Sequence, residues 1–372
     1  MSCDFINLAL PNVRSLQSYQ PGKSIEELAR ERGLPADKIV KLASNENPMG
    51  PPPSAIAAIQ SVLSGLSRYP DTNGFELKKA LAAHHNVDVE QITLGNGSND
   101  VLVLLAESYL APGISAIYSE HAFFIYFFIT NTAGAEGIEV PSLDWGHDLK
   151  AMVTAIRPDT RMIFLANPNN PTGTYFDNEA LDNFLACVPE QVLIVLDQAY
   201  FEYSADFGIL NPVNLINSHP NLIVLRTFSK AYGLAGCRIG YAISHPNIAD
   251  ILNRIRQLFN VNSLAQKAAL AALHDDAYLK QSIKLNTQGR SQLVSGLTDL
   301  GLSCIPSSTN FICVDTKRDS LAVYQNMLAE GVIVLPLGNY NMPQHLRISV
   351  GLQNENQQCL NALAAALYQL PE

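Results

Sequence analysis

The chain has 372 residues, of which 47% are hydrophobic and 16% charged, and it carries a formal net charge of −10. A chain of this length and apolar content can bury a large core and exceeds the usual size of one domain, so we expect one large and one smaller domain. The acidic balance, without a long basic run, argues against nucleic acid as a partner. An anionic ligand would therefore need cations placed locally.

The cysteines and the apolar segments predict a cytoplasmic protein. The six cysteines show no CxxC pairing and no metal-ligand spacing with histidine, so we expect reduced thiols and no metal site. The first ten residues lack the basic and apolar regions of a signal peptide. The aromatic-rich apolar run at residues 122–130 is much shorter than a membrane span, so we expect no membrane partner.

The predicted elements begin with a short helix and continue as alternating strands and helices. Ser24 followed by Glu27 is a capping-box pattern and predicts a helix through Arg30, belonging with the C-terminal domain or a partner subunit. Short apolar runs then predict strands at residues 91–94, 114–118, 162–166, 192–196 and 222–225. Near-continuous apolar strands of this kind predict an α/β fold with a mostly parallel central sheet and helices on both faces.

The pattern changes after about residue 261. Long helical stretches are followed by strand candidates at residues 311–315, 332–335 and 346–350, which predict a smaller α+β domain. We therefore divide the chain into an N-terminal arm with part of the small domain (1–45), a large domain (46–261) and a small C-terminal domain (262–372).

Groups suited to ligand binding follow the predicted strands. A glycine-rich turn at residues 95–100 connects a strand to a helix, and a turn-forming segment at 167–173 follows another strand. Asp197 ends the fourth strand, and Thr227 follows the fifth. Because ligands of parallel sheets bind beyond the carboxyl ends of the strands, we expect these groups to lie together.

Each of these features has an ordinary explanation when it is taken alone. An isolated lysine such as Lys230 is usually exposed, an acid such as Asp197 can cap a strand, and glycine-rich or Asn-Pro turns are common. Their order along the chain is more specific. An amine for a Schiff base, a buried carboxylate for a ring nitrogen, and hydroxyls with a cation for a phosphate are the groups that pyridoxal phosphate requires.

The sequence therefore predicts a pyridoxal phosphate site. Lys230 would bind the cofactor and carry a proton during the reaction, and Asp197 would keep the pyridine nitrogen protonated. Tyr200 and an amide of the 167–173 turn could reach the ring oxygen. Thr227, Ser229 and Arg238 would supply hydroxyls and a positive charge to the phosphate.

These residues resemble those of the fold-type I aminotransferases, a class of pyridoxal-phosphate-dependent transferases. The chain is similar over essentially its whole length to the histidinol-phosphate aminotransferase branch. The segments that carry the resemblance are 19–23, 44–50, 68–71, 227–234 and 346–351.

The resemblance implies a role for each matching residue. Lys230 would be the Schiff-base lysine and Asp197 the pyridinium partner, with Asn170 and Tyr200 on the ring oxygen. The residues implied at the cofactor phosphate are Gly97, Ser98, Asn99, Thr227, Ser229 and Arg238. His121 occupies the position of the ring that stacks on the cofactor; its alternative is a helix-start residue beside a cluster of core aromatics.

The resemblance also implies a homodimer and a substrate site. Tyr69 is expected to reach the cofactor phosphate of the other subunit. Arg347 would bind the substrate carboxylate or phosphate, together with Asn45 and with Tyr19 from the partner chain. The implied reaction converts L-histidinol phosphate and 2-oxoglutarate into imidazole acetol phosphate and L-glutamate, a step of histidine biosynthesis.

The chain departs from the family pattern at Leu335, where many members carry an arginine. An arginine–phosphate contact in a desolvated pocket is worth about 1.5–3 kcal/mol, so this departure bears on the phosphorylated substrate. Gln198 stands where an acidic residue often follows the aspartate. Leu335 and the aromatic run at 123–128 favour an aromatic amino acid aminotransferase as the alternative, and a decarboxylase or a non-catalytic cofactor-binding regulator stays open.

Overall fold

The computed structural model describes residues 4–16 and 22–370, which build one large and two small β-sheets with surrounding helices. The strands, in chain order, are β1 (Val40–Lys41), β2 (Ile92–Gly95), β3 (Ser115–Ser119), β4 (Glu136–Val140), β5 (Thr160–Ala166), β6 (Leu193–Asp197), β7 (Leu222–Thr227), β8 (Gly240–Ile243), β9 (Ser303–Ile305), β10 (Phe311–Asp315), β11 (Val332–Ile333), β12 (Leu335–Pro336) and β13 (His345–Ser349). The α-helices are α1 (Phe5–Leu8), α2 (Pro11–Arg14), α3 (Ile25–Arg32), α4 (Pro53–Val62), α5 (Phe75–His85), α6 (Ser98–Tyr109), α7 (Ile125–Thr132), α8 (Leu149–Thr154), α9 (Asn178–Cys187), α10 (Pro246–Ile255), α11 (Ser263–Leu273), α12 (Asp276–Asp299), α13 (Ser320–Ala329) and α14 (Gln353–Tyr368).

The large sheet has seven strands in the order β2-β8-β7-β6-β5-β3-β4. The pairs among β3 to β7 are parallel, and β8 is antiparallel to both of its neighbours. All five strands predicted for this region are present. The sequence reading missed β4, a partly exposed edge strand, and β8, which begins at a glycine.

Both faces of this sheet are covered. Successive side chains of a strand point to opposite faces. In β6, Ile194 and Leu196 enter one hydrophobic core, whereas Leu193 and Val195 enter a second core. The predicted α/β class, with helices on both faces of a mostly parallel sheet, is confirmed.

A separate core lies around the small sheet β12-β13-β10-β9, whose paired strands are antiparallel. Leu28 of α3 and Leu42, after β1, join this core, and β1 pairs with β11. The predicted early helix is confirmed as α3, whose Ser24 hydroxyl accepts a hydrogen bond from the Glu27 backbone N–H. The predicted strand at 332–335 is instead divided between β11 and β12, which belong to different sheets.

The division into domains stays a prediction, for which the packing supports one change. Ala265, Ala268 and Ala269 of α11 belong to a core of the large sheet, so we propose that the large domain extends through α11. No helix within residues 4–16 and 22–370 is both long and apolar enough to span a membrane. In the same part of the chain, no group of histidine, cysteine, aspartate or glutamate side chains is arranged to hold a metal ion.

Candidate active site

A cavity lies at the carboxyl ends of β5, β6 and β7, between the large sheet and the strands β12 and β13. It is lined by groups from eight separate stretches of the chain. The predicted site residues in its lining are Asn45, Ser98, Asn99, Asn170, Asp197, Tyr200, Thr227, Ser229, Lys230, Arg238 and Arg347. The parallel strands thus bring together groups that are far apart in sequence, as expected from the geometry of such sheets.

Lys230 presents an amine to this cavity. Its Nζ donates a hydrogen bond to the Ser44 carbonyl at 3.2 Å. Burial, assisted by the positive charges of Arg347 and Arg238, lowers the pKa of Lys230 to about 7. An amine with this pKa is largely neutral just above neutral pH, which is the form that attacks a carbonyl.

Asp197 ends β6 and is buried at the floor of the cavity. Its Oδ2 accepts a hydrogen bond from the Tyr126 hydroxyl at 3.0 Å, and its Oδ1 accepts one from the Ala199 N–H at 3.1 Å. Burial raises the pKa of Asp197, and the two hydrogen bonds oppose that rise. Tyr126 is itself fully buried and stacks on Phe164, so this donor is held in place.

The sequence reading did not identify Tyr126 as a site residue. It belongs to the aromatic run of α7, which the sequence alone does not distinguish from ordinary core. Burial raises the pKa of Tyr126 well above its ordinary value, so its hydroxyl stays protonated and acts as a donor.

Arg347 of β13 and Asn170, which follows β5, meet at one side of the cavity. One Arg347 guanidinium nitrogen donates to Asn170 Oδ1 at 2.6 Å, and the other donates to the Ala43 carbonyl at 2.7 Å. With its oxygen engaged, Asn170 retains Nδ2 as the donor for a ligand oxygen. Nearby, Asn45 Nδ2 donates to the Tyr200 hydroxyl at 2.9 Å, and burial raises the pKa of Tyr200 to about 12.

The opposite end of the cavity is suited to a phosphate. Ser98 and Asn99 line the cavity at the start of α6, and the first backbone N–H groups of a helix are suited to binding an anion. One Arg238 guanidinium nitrogen lies 3.4 Å from Ser229 Oγ. A Cβ atom on Gly97 would lie 2.5 Å from the other guanidinium nitrogen, so the glycine permits the arginine to reach the start of the helix.

Among the described residues, three predicted site residues are not part of this lining: Tyr69, His121 and Gly97, the last of which lies beside Arg238. Tyr69 is 81% exposed and stacks on Phe259 at 4.4 Å between ring centroids, so its ring lies on the surface of this chain. Tyr19 is outside the described residues. His121 is buried, but its Nδ1 bonds to the Tyr340 carbonyl and its ring stacks on Trp145.

Phe123 lines the cavity where His121 does not. Phe123 lies two residues after His121, in the segment that follows β3, and its side chain is part of the lining. We therefore propose that Phe123, rather than His121, stacks on the cofactor. Leu335 and Tyr340 also line the cavity and form the wall beside Arg347. Leu335 pairs with Arg347 across β12 and β13, so the departure from the family pattern lies directly beside the predicted anion site.

Residues 37–363 match the family model for aminotransferase class I and II. The chain belongs to this family. It is 55% identical over 367 residues to histidinol-phosphate aminotransferase 2 of Pseudomonas fluorescens (strain Pf0-1), covering 99% of each chain. It is 56% identical over 364 residues to the protein of that name from Pseudomonas aeruginosa (strain PAO1), covering 98% of this chain and 99% of the relative.

A solved structure gives the same result for the fold. Histidinol-phosphate aminotransferase from Sinorhizobium meliloti, in complex with pyridoxal-5'-phosphate, superposes with a TM-score of 0.90 at 30% identity, covering 97% of this chain and 98% of that one. The fold is therefore that of the fold-type I transferases, and the chain is a pyridoxal-phosphate-dependent aminotransferase. Ser98, Asn99, Ser229 and Arg238 form the end of the cavity suited to a phosphate, which we call the phosphate cradle. The Lys230 amine, the buried Asp197 carboxylate and the phosphate cradle fit this cofactor.

Proposed function

We propose that the protein transfers the amino group of L-histidinol phosphate to 2-oxoglutarate, giving imidazole acetol phosphate and L-glutamate in histidine biosynthesis. The observation that carries the proposal is that Lys230, Asp197 and Arg347 line one cavity with the phosphate cradle. The choice of substrate is supported by the two relatives that are 55% and 56% identical to this chain over nearly its whole length.

Lys230 would hold the cofactor and move the proton. Bound pyridoxal phosphate supplies an electron sink for the negative charge that develops when the substrate carbon loses its proton. Lys230 Nζ, with a pKa of about 7, can both accept and return a proton near neutral pH. A general base functions best when its pKa lies close to the working pH.

Asp197 would keep a positive charge on the cofactor ring nitrogen. A carboxylate in a buried site interacts strongly with an adjacent cation because water screens it little. The hydrogen bond from Tyr126 favours the ionised form of Asp197 and fixes the carboxylate plane. We assign Tyr126 as the residue that positions Asp197.

Arg347 would bind the anionic group of each substrate. Its two terminal nitrogens are held by Asn170 and Ala43, whereas its Nε has no hydrogen-bond partner among residues 4–16 and 22–370. A buried donor without a partner is costly, and an anionic ligand would satisfy it. Asn45 would contribute to substrate binding by holding the Tyr200 side chain in place through its hydrogen bond to the hydroxyl.

We also propose a homodimer in the cytoplasm. Tyr69 is 81% exposed and lies away from the cavity of its own chain, as expected if it serves the phosphate site of a second copy. We propose that Tyr19 likewise contributes to the second copy, in its substrate site. Mixing Lys230→Ala protein with Tyr69→Phe protein should restore about a quarter of the activity if each active site needs both chains, and no restoration would argue against a shared site.

An aromatic amino acid aminotransferase is the second candidate. Leu335 places an apolar side chain beside Arg347, where a second cation would suit a phosphorylated substrate. Tyr340 adds aromatic surface to the same wall of the cavity. An uncharged aromatic side chain would be accommodated by this wall.

The decisive experiment compares amino donors. We expect kcat/KM for L-histidinol phosphate to exceed that for phenylalanine and tyrosine, with 2-oxoglutarate as acceptor. A hundredfold preference for the aromatic amino acids would overturn the proposed substrate. Carbon dioxide release without glutamate formation would indicate a decarboxylase.

A variant pair tests the amine itself. Lys230→Ala should abolish turnover, the absorption band of the lysine-bound cofactor and its trapping by borohydride. Lys284→Ala, at an exposed lysine of α12, is the matched control and should leave all three unchanged. Turnover in the Lys230→Ala protein would place the reactive amine elsewhere.

A further inference from the structure

Three aromatic side chains form a contact between the large sheet and the wall of the substrate site. His121 follows β3, Trp145 lies between β4 and α8, and His345 belongs to β13. The Trp145 ring stacks on His121 at 5.3 Å between centroids and packs on His345 at 4.9 Å. We call these three side chains the ring clamp.

His121 connects two walls of the cavity. Its Nδ1 lies 2.9 Å from the Tyr340 carbonyl, and because a carbonyl only accepts, Nδ1 carries the proton and donates. Its own carbonyl accepts a hydrogen bond from Asn169 at 2.8 Å, next to the predicted cofactor ligand Asn170. His121 is only 6% exposed, so these bonds are shielded from water.

The clamp is connected to Arg347 through β13. His345 and Arg347 are two residues apart on one strand, so their side chains leave the same face of the sheet. The indole of Trp145 therefore packs on the face from which Arg347 reaches the cavity. The backbone of His345 also accepts a hydrogen bond from Leu337, which anchors the segment that leads to Tyr340.

Trp145 is held in an unfavourable backbone conformation. Leu143 and Gly146 pair with each other, and the two residues between them, Asp144 and Trp145, have φ angles of 48° and 65°. A two-residue turn of this kind favours glycine at its second position, and a bulky residue there is strained by about 1–3 kcal/mol. Such strain persists where the side chain is required for a particular contact.

We propose that the ring clamp positions Tyr340 and Arg347 for substrate binding, so that His121, Trp145 and His345 determine the affinity for anionic substrates without touching the reacting atoms. The proposal rests on the proposed function, because Arg347 is there assigned to the substrate anion. The three side chains of the ring clamp act as positioning residues. Their loss should therefore change KM for the substrates without changing cofactor binding.

Three variants of the holoenzyme separate the elements of the clamp. His121→Phe keeps a ring for stacking but removes the Nδ1 donor, and His121→Asn keeps a donor at a similar distance from the backbone. Trp145→Gly removes the indole and suits the positive φ angle. His274→Phe, at an exposed histidine after α11, is the matched control.

We expect His121→Phe and Trp145→Gly to raise KM for the amino donor and for 2-oxoglutarate about threefold to tenfold, as for the loss of one hydrogen bond or ring contact. kcat and the absorption spectrum of the bound cofactor should stay close to those of the parent protein. His121→Asn should recover part of the affinity. A role in stability alone would lower the unfolding midpoint and leave KM unchanged, which would overturn the proposal.

The parent protein offers an independent readout, because Trp145 is its single tryptophan. Titration of the holoenzyme with succinate, a dicarboxylate that has no amine or oxo group, should give a saturable change in tryptophan emission. The change should be absent in Arg347→Met protein. An emission spectrum that does not respond while succinate competitively inhibits turnover would refute the proposed connection.

The two proposals fail in different ways. If the donor comparison rejects histidinol phosphate but the His121→Phe protein still raises KM for the preferred donor, the clamp stands and the substrate assignment fails. If the preferred donor is histidinol phosphate and every clamp variant has parental KM values, the proposed function stands and the clamp fails.

Discussion

The rate at which the apoenzyme captures pyridoxal phosphate should follow the titration of Lys230. Burial and the charges of Arg347 and Arg238 lower the pKa of Lys230 to about 7, whereas an unperturbed lysine titrates at about 10.4. Only the neutral amine is nucleophilic. At pH 7 about half of the Lys230 amines would be neutral, against roughly 0.04% for an unperturbed lysine, a difference of about a thousandfold.

The sign and the shape of the pH dependence follow from this pKa. The folded-state pKa lies below the ordinary value, so the neutral fraction rises through pH 7 and is complete well below pH 10. Between pH 6 and pH 8 it should increase from about 9% to about 91%, roughly tenfold, and above pH 8 the rate should be level.

The assay mixes apoenzyme with pyridoxal phosphate and records the growth of the bound-cofactor absorption band. Borohydride trapping at timed intervals gives an independent measure of the bond to Lys230. A simple alkylamine in the same buffers corrects for the titration of the cofactor itself. A capture rate that keeps rising about tenfold per pH unit through pH 9 would show an ordinary lysine and refute the reasoning.

A charge variant tests the assigned cause. Because the positive charge of Arg347 contributes to the lowered pKa, Arg347→Met should move the midpoint of the capture rate to higher pH. Arg254→Met removes the same charge from an exposed helix position and should leave the midpoint in place. Equal midpoints in all three proteins would mean that the charge of Arg347 does not contribute to the lowered pKa of Lys230.

Three further substitutions test individual contacts of the site. Tyr126→Phe removes the 3.0 Å hydrogen bond to Asp197, so the pKa of Asp197 should rise further and kcat should fall by about tenfold or more; an unchanged kcat would contradict the assignment. Leu335→Arg should lower KM for histidinol phosphate about tenfold relative to unphosphorylated histidinol, and equal changes for both would show that this position does not face the substrate. Gly97→Ala should speed release of the cofactor, because the added Cβ would lie 2.5 Å from a guanidinium nitrogen. Gly113→Ala has a similar φ of 86° with no atom within 4 Å of the added Cβ, and cofactor release as fast as in Gly97→Ala would implicate backbone strain instead.

The part of the site that follows the strands could be predicted from the sequence. The apolar runs in the sequence predict β6 and β7. Because the carboxyl ends of parallel strands lie at the same edge of a sheet, Asp197 and Thr227 are then expected to lie close together. The position of Lys230 near them required no further information, because only two residues separate it from the end of β7. Local pattern and sheet geometry together determine this half of the cavity.

The aromatic side of the site could not be predicted in the same way. His121, Phe123 and Tyr126 lie within six consecutive residues, and their sequence does not show which ring faces the cavity. The start of α7 decides it, since Tyr126 turns inward to Asp197 and His121 is held by Tyr340. That choice depends on contacts with residues more than 70 positions away, which no local pattern contains.

The wall formed by β12 and β13 could not be predicted from the sequence for a different reason. A single apolar run at 332–335 reads as one strand, whereas the chain changes sheets within it and brings Leu335 beside Arg347. The change of partner depends on β1, a two-residue strand that pairs with β11 from the other end of the sequence. Short strands of this kind are specified by their partners rather than by their own residues.

The electrostatics of the assembled cavity connect substrate binding to proton transfer. Arg347 lowers the pKa of Lys230 as long as its own charge is not neutralised. An anionic substrate that pairs with Arg347 removes part of that effect, so the pKa of Lys230 is expected to rise when the substrate is bound. The lysine must be neutral to capture the cofactor and must later take a proton from the substrate carbon. The same arginine can therefore favour the neutral amine before substrate binding and a more basic amine after it.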